Sequence, residues 1–164
     1  MENKIKVVLD TNCILSSISI NSIYHIIIDS LYEGKFILCV SNEILMEYEE
    51  KLSEIFNEGL AENFIGAVYL LENVEFVNIY FKLSLISSDL DDNKFCDCYV
   101  SSSSNYLVTN DKHFKPLKSI PFPKINLVNI VLAYFGQKLK FSNIRQKGIG
   151  KFRDTDKIIF MAVL

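Results

Sequence analysis

The stretch KVVLDTNCIL, Lys6 to Leu15, decides how the fold is interpreted, because an apolar run of strand length ends there on a carboxylate. A short, unbroken apolar run is typical of a strand that is buried on both faces. Asp10 ends this run, and burying a carboxylate costs free energy unless a donor or a positive charge meets it. Asp10 therefore either caps the segment that follows or holds a cation.

The length of the chain, 164 residues, fits one domain with a sizeable apolar core. The sequence starts without the basic and apolar regions of a secretory signal, and no apolar run approaches the roughly 20 residues of a membrane span. We expect a cytoplasmic protein. The four cysteines form no Cys-x-x-Cys unit, so we expect reduced, packed thiols and no structural zinc site.

Charge divides the chain into two parts. Residues 1–136 carry 10 Lys and Arg against 18 Asp and Glu, a net charge of −8, whereas residues 137–164 carry 7 against 2, a net charge of +5. We therefore predict a catalytic or binding domain over 1–136 and a basic C-terminal extension over 137–164. The extension fits either a solvated or partner-docking segment, which we favour, or an RNA-binding arm.

Apolar strand candidates alternate with helical segments along residues 5–128. This alternation predicts an α/β fold, in which a parallel sheet is covered by helices on both faces. The predicted strands are 5–9, 36–40, 74–77, 106–109 and 125–128, and the predicted helices are 22–32, 41–57, 60–71 and 92–102.

Two acids follow predicted strands directly. Asp10 ends the first strand, and Asp111 lies just beyond the strand in YLVTNDKHF. Ligands in open parallel sheets bind beyond the carboxyl ends of the strands, so these two carboxylates are expected to share one site.

Other acids lie on predicted helices. Glu47, in SNEILMEYEE, falls at the edge of an apolar helix face, where it either reaches the site or faces water. The run DLDDNKFCDC places four aspartates within nine positions, Asp89 to Asp97. Asp91 and Asp92 suit a helix N-terminus without any further role. Asp97, in contrast, lies among apolar residues and needs a partner.

Clustered carboxylates without a basic neighbour repel one another, and such clusters generally bind a divalent cation. An all-oxygen ligand set favours Mg²⁺ or Mn²⁺, whose usual chemistry is attack on phosphate esters. A P-loop and a dinucleotide-binding glycine fingerprint are both absent. Neither histidine is accompanied by a nucleophile elbow, which argues against serine or cysteine catalysis.

Taken together, VVLDTN, SNEILMEYEE, DLDDNKFCDC and YLVTNDKHF resemble the four sequence blocks of PIN-domain proteins, over about residues 5–130. The order and spacing are most similar to the subgroup described as toxin components of toxin–antitoxin systems. The resemblance implies a three-layer α/β/α sandwich with a central parallel sheet. It also implies a Mg²⁺- or Mn²⁺-dependent ribonuclease with one or two metal ions, which leaves 5′-phosphate and 3′-hydroxyl ends and, in VapC-type pairs, is inhibited by an antitoxin.

The resemblance also assigns roles to residues. Asp10, Glu47, Asp92 and Asp111 match the catalytic acids, and Asp97 matches an additional metal-binding acid. The alignment of Asp89 and Asp91 with the third block is left open. Polar residues expected to orient the carboxylates are Thr11, Asn12, Asn93, Thr109 and Asn110.

Lysines next to the acidic blocks are the candidates for RNA binding, although each is equally compatible with an ordinary surface lysine. They are Lys94, Lys112, Lys115 and Lys118. The expected partners are an RNA substrate and a cognate antitoxin protein. A homodimer is a further expectation. Two alternatives stay open: a non-catalytic PIN-like binding module, and a nuclease of housekeeping RNA or DNA processing.

Overall fold

The computed structural model describes residues 4–131 and 133, and these residues contain a five-stranded, wholly parallel sheet. The predicted basic extension over 137–164 lies outside the described residues. The strands are β1 (Lys6–Leu9), β2 (Ile37–Val40), β3 (Val74–Phe76), β4 (Tyr106–Val108) and β5 (Leu127–Val128).

Five α-helices and one 3₁₀ helix connect the strands. They are α1 (Thr11–Ile18), α2 (Ile26–Tyr32), α3 (Asn42–Ile55), α4 (Glu58–Leu70), α5 (Asn93–Ser101) and the 3₁₀ helix Lys112–Ser119. Helices α3 and α4 are both capped as their sequences suggest. Ser41 accepts a hydrogen bond from the Ile44 amide, and Asn57 accepts one from the Leu60 amide.

Strand order in the sheet is β3-β2-β1-β4-β5. The chain runs outward from β1 to β3, then returns to the other side of β1 to form β4 and β5. The strand order therefore reverses between β1 and β4, and the carboxyl ends of these two strands flank the crevice in which such sheets bind ligands. Asp10 and Asp111 follow these two strands.

The sheet is buried on both faces, as the apolar strand sequences predict. Val8 and Leu38 are fully buried, and their chain neighbours, which point to the opposite face, are largely buried too. This confirms the predicted α/β/α sandwich with a central parallel sheet. Helix α3 is attached at the site end of β1, where the buried Tyr48 hydroxyl donates to the Leu9 carbonyl.

Some local predictions were incomplete. Helix α1 was not predicted, because TNCILSSI combines residues of modest helix propensity and is stabilised mainly by its Asp10 cap and by packing. The helix predicted over 22–32 begins only at Ile26. The four cysteines are buried and free, as expected. Within the described residues, no helix has the length and apolar character that crossing a membrane requires.

Candidate active site

Asp10 combines the two roles that its position in the sequence suggests. Its Oδ1 accepts a hydrogen bond from the Asn12 amide at the start of α1, 3.4 Å away, so the residue is a helix N-cap. Its Oδ2 accepts a 2.7 Å hydrogen bond from the Thr109 hydroxyl. The side chain is only 3% exposed, and burial raises the pKa of Asp10, assisted by the nearby charges of Glu47 and Asp111.

Thr109 links this carboxylate to the loop after β4. Its hydroxyl oxygen also accepts the Asp111 amide, at 3.0 Å. Asp111 then caps the 3₁₀ helix by accepting the His113 amide at 2.8 Å. Thr109 thus hydrogen-bonds to the Asp10 carboxylate and to the Asp111 backbone, while its predicted role in orienting metal-binding acids stays a prediction.

Asp92 completes the acidic cluster from the start of α5. Its Oδ2 lies 3.4 Å from His113 Nδ1, which is also 3.4 Å from Asp111 and 3.9 Å from Asp89. Burial, followed by the charges of Asp89, Asp10 and Asp111, raises the pKa of Asp92 to about 6, although His113 lowers it. These interactions show that acids from separate chain segments converge at the switch point.

Glu47 lies in the same region but has a positive partner. The ammonium of Lys94 contacts its Oε2 and lies 2.7 Å from Asp91 Oδ2. Glu47 is 18% exposed and Lys94 only 10%, whereas Asp91 is 80% exposed. The alternative that Glu47 simply faces water is therefore wrong.

The donor set fits a divalent cation. Asp92 Oδ2 and His113 Nδ1 are both buried atoms without a hydrogen-bond partner among the described residues, although they face each other. Buried polar atoms that lack a partner are rare in folded proteins, and a bound ion is one way in which they are satisfied. Asp89, Asp92 and His113 can offer ligand atoms within 4.8 Å of one another. Carboxylate oxygens with one imidazole suit Mg²⁺ or, better, Mn²⁺.

Asn93 and Asp97 share a face of α5, as their spacing predicts. That face contacts residues 83–86, which precede the helix. Asn93 exchanges hydrogen bonds with both backbone groups of Ile86, at 2.9 and 2.8 Å. Asp97 Oδ1 accepts the Leu83 amide at 2.9 Å. Ser84, which lies between Leu83 and Ile86 in the sequence, has a φ of 50°, a conformation that costs a non-glycine residue free energy.

Asp97 thus has electrostatic neighbours of its own. Burial raises its pKa, while the Leu83 amide and Lys82 lower it and Glu43 raises it. The structure gives it none of the carboxylate neighbours of Asp92. Its predicted role as an additional metal ligand stays a prediction, and its observed contacts are those of a residue that anchors a loop.

The other predicted polar residues lie around Asp10 and Asp111. Thr11 is buried in the first turn of α1, and Asn12 is exposed there, so that only its backbone amide contacts Asp10. Asn110 accepts the Ile130 amide at 3.0 Å and so connects the loop to the chain after β5.

The predicted site residues do not include His113, and the alignment of Asp89 with the third sequence block stays open. His113 follows Asp111 by two residues, and capping of the 3₁₀ helix places its ring against the acids. Asp89 precedes α5 and faces the same ring. The signal for His113 was its place in TNDKHF, but a histidine two residues after an acid is weak without knowledge of the turn.

Comparison with known proteins agrees with this geometry. The family model for the PIN domain matches residues 6–113. The chain is similar in fold to a chain of VapBC2 from Rickettsia felis, whose crystal structure was determined bound to a DNA fragment from the promoter of the pair. That match has a TM-score of 0.51 and 17% identity, and covers 76% of this chain and 98% of the other. No curated protein sequence matches this one.

The fold and the site therefore define an α/β protein with an acidic cluster at the switch point of its sheet. Because the family model spans well over half of the sequence, the chain belongs to the PIN-domain family. This confirms the resemblance inferred from the four sequence blocks.

Proposed function

We propose that this protein is a Mg²⁺- or Mn²⁺-dependent endoribonuclease that hydrolyses single-stranded RNA. The observation that supports it most directly is that the carboxylates of Asp10, Asp92 and Asp111 lie together at the switch point. Two buried atoms of this site, Asp92 Oδ2 and His113 Nδ1, have no hydrogen-bond partner among the described residues. Such an arrangement costs stability in the absence of a cation. A divalent ion offsets that cost and supplies the Lewis acid and the activated water that phosphodiester hydrolysis needs.

Asp10, Asp92 and Asp111 would hold the ion, with Asp89 and His113 at the outer side of the cluster. Thr109 holds Asp10 and the Asp111 backbone in place through hydrogen bonds of 2.7 and 3.0 Å. Fixed carboxylates bind an ion without further loss of side-chain freedom. Glu47 adds negative charge next to this set, and the assignment of the function does not depend on the metal role that the sequence predicts for it.

The 3₁₀ helix beyond Asp111 supplies a surface for the RNA backbone. Side chains three residues apart lie above one another in such a helix, about 6 Å apart along its axis. Phe114 and Leu117 form the buried row. The exposed row, which we call the lysine row, starts beside the acidic site and consists of Lys112, Lys115 and Lys118. A row of cations next to an acidic metal site suits a single strand whose phosphates approach the ion.

We further propose that the protein is the toxin of a toxin–antitoxin pair located in the cytoplasm. Its fold similarity to a chain of VapBC2 and its membership of the PIN-domain family support this assignment. A cognate antitoxin protein is then the expected partner, and a homodimer stays a prediction. Expression of the protein alone should arrest growth, and co-expression of the neighbouring open reading frame should restore it.

Cleavage of labelled single-stranded RNA tests the enzymatic assignment. The wild type should cleave with Mn²⁺ or Mg²⁺ and should be inactive in EDTA, and Asp10→Asn should be inactive with either ion. Asp29→Asn is a suitable control, since Asp29 lies on α2 and pairs with His25 at 3.5 Å. Equal cleavage by wild type and Asp10→Asn would show that the activity does not come from this site. Metal binding without cleavage of any RNA would favour the non-catalytic binding module.

A further inference from the structure

Lys94 is a largely buried cation next to the acidic cluster. Its side chain is 10% exposed, whereas lysine is almost never buried unless it is paired. The ammonium contacts Glu47 Oε2 on α3 and lies 2.7 Å from Asp91 Oδ2 before α5. The ammonium also lies over the Phe95 ring, with Nζ 5.9 Å from the ring centroid.

Glu47 and Asp91, the two acids that pair with Lys94, differ from the other acids of the cluster. Asp10 accepts hydrogen bonds from two neutral donors, the Thr109 hydroxyl and the Asn12 amide, next to the charges of Glu47 and Asp111. Asp92 and Asp111 each lie 3.4 Å from the imidazole of His113. The positive charge of Lys94 lies against one oxygen of Glu47. Removing one member of a largely buried ion pair strongly destabilises a protein, because the other charge is left without a partner. The cluster thus has a part without a fixed positive charge and a part that already contains one.

We propose that the Lys94 ammonium takes the place of a second divalent cation, so that the site holds a single metal ion. The inference rests on the proposed function, and it decides between the one and two ions that the family resemblance leaves open. In a two-ion site, a second ion shares the developing charge of the phosphate with the first. Here a fixed ammonium beside Glu47 supplies that second positive charge, and Glu47 is the counter-ion of Lys94 and not a ligand of the metal.

Mn²⁺ titration followed by electron paramagnetic resonance tests the proposal, because free Mn²⁺ gives a signal that is lost on binding. The wild type should bind one ion per chain. Lys94→Met keeps most of the side-chain volume but removes the charge, so it should bind one ion more than the wild type. Lys94→Arg should behave as the wild type does. Equal stoichiometry in wild type and Lys94→Met would overturn the proposal.

A control lysine separates this effect from a general change in charge. Lys82 pairs with Glu43 at 3.8 Å but is 75% exposed, and Lys82→Met should leave the Mn²⁺ stoichiometry unchanged. A second ion in Lys82→Met as well as in Lys94→Met would show that any loss of positive charge creates a binding site. That result would also overturn the proposal.

Glu47→Gln provides a second test that leaves Lys94 in place, in case Lys94→Met does not fold. If Glu47 is the counter-ion of Lys94, the Mn²⁺ dissociation constant of Glu47→Gln should stay within about threefold of the wild type. If Glu47 is a metal ligand, the constant should rise tenfold or more, and the proposal is wrong. RNA cleavage by the wild type is measured in parallel. Suppose that the wild type cleaves RNA only with metal, and that the Mn²⁺ dissociation constant of Glu47→Gln rises tenfold or more. The proposed function then stands, and only this inference is wrong.

Discussion

Asp97 in helix α5 and Asp92, the residue just before that helix, are both largely shielded from solvent, but their surroundings differ. Asp97 is 3% exposed and accepts a backbone amide from Leu83. Asp92 faces Asp89, Asp10 and Asp111, and its buried Oδ2 accepts no hydrogen bond. A backbone donor offsets part of the cost of burying a carboxylate, whereas neighbouring carboxylates add to that cost until a cation is bound. The comparison contrasts Asp97, whose contacts anchor a loop, with Asp92, for which we propose a role in metal binding.

The largest expected difference between the two acids concerns catalysis. Asp92→Asn should lower the rate of RNA cleavage on the order of 10²–10³-fold, because a neutral amide binds and polarises a metal ion poorly. Asp97→Asn should retain cleavage within a few-fold, since an amide oxygen can still accept the Leu83 amide. Single-turnover cleavage with saturating Mn²⁺ is the measurement. A loss of similar size in Asp97→Asn would show that Asp97 is a ligand after all.

Substitutions of the two acids should change the free energy of unfolding in opposite directions. Asp97→Ala removes the acceptor of a buried amide and should lower the free energy of unfolding by about 1–3 kcal/mol. Asp92→Asn removes a charge from a repulsive cluster and should raise that free energy by about 1 kcal/mol in EDTA. Urea denaturation of both variants in EDTA measures the two effects. Destabilisation by Asp92→Asn would contradict the view that this cluster is strained without metal.

The pH dependence of stability should report on Asp92. Asp92 has a folded-state pKa of about 6, above its ordinary value of 3.8, so between these values the folded protein binds more protons than the unfolded chain. Metal-free stability should therefore fall as the pH rises from 5 to 7, by about 1 kcal/mol from this residue. Asp92→Asn should lose that part of the pH dependence. An unchanged profile in the variant would assign the effect to another group.

The smallest expected effect concerns the lysine row, which lies outside the acidic cluster. Replacing all three lysines with alanine should weaken binding of single-stranded RNA, and the slope of log K against log salt should fall by about 2, roughly 0.7 for each phosphate contact. Lys4→Ala is the control, because Lys4 is exposed near the amino ends of the strands. Fluorescence anisotropy between 50 and 300 mM salt measures the slope. An unchanged slope would remove the lysine row from the RNA path.

Much of the fold could be predicted because its signals are local. The apolar strands, the helix cap at Ser41 and the acids after β1 and β4 are set by short runs of sequence. Their parallel arrangement then places Asp10 and Asp111 at one edge of the sheet, which is why the centre of the site could be located. The 3₁₀ helix could not be foreseen, because its i to i+3 pattern in KHFKPLKS is short and contains a proline.

The sequence by itself determined the class of the fold and the convergence of acids at the ends of two strands. Only the tertiary structure decided which acids interact with one another and which have other partners. The segment 83–86 supplies the amides that Asp97 and Asn93 accept, while the Lys94 ammonium reaches Glu47 from another helix. The physical reason is that a carboxylate is the same group everywhere, and its role depends on whether a donor, a cation or another carboxylate lies within a few ångströms.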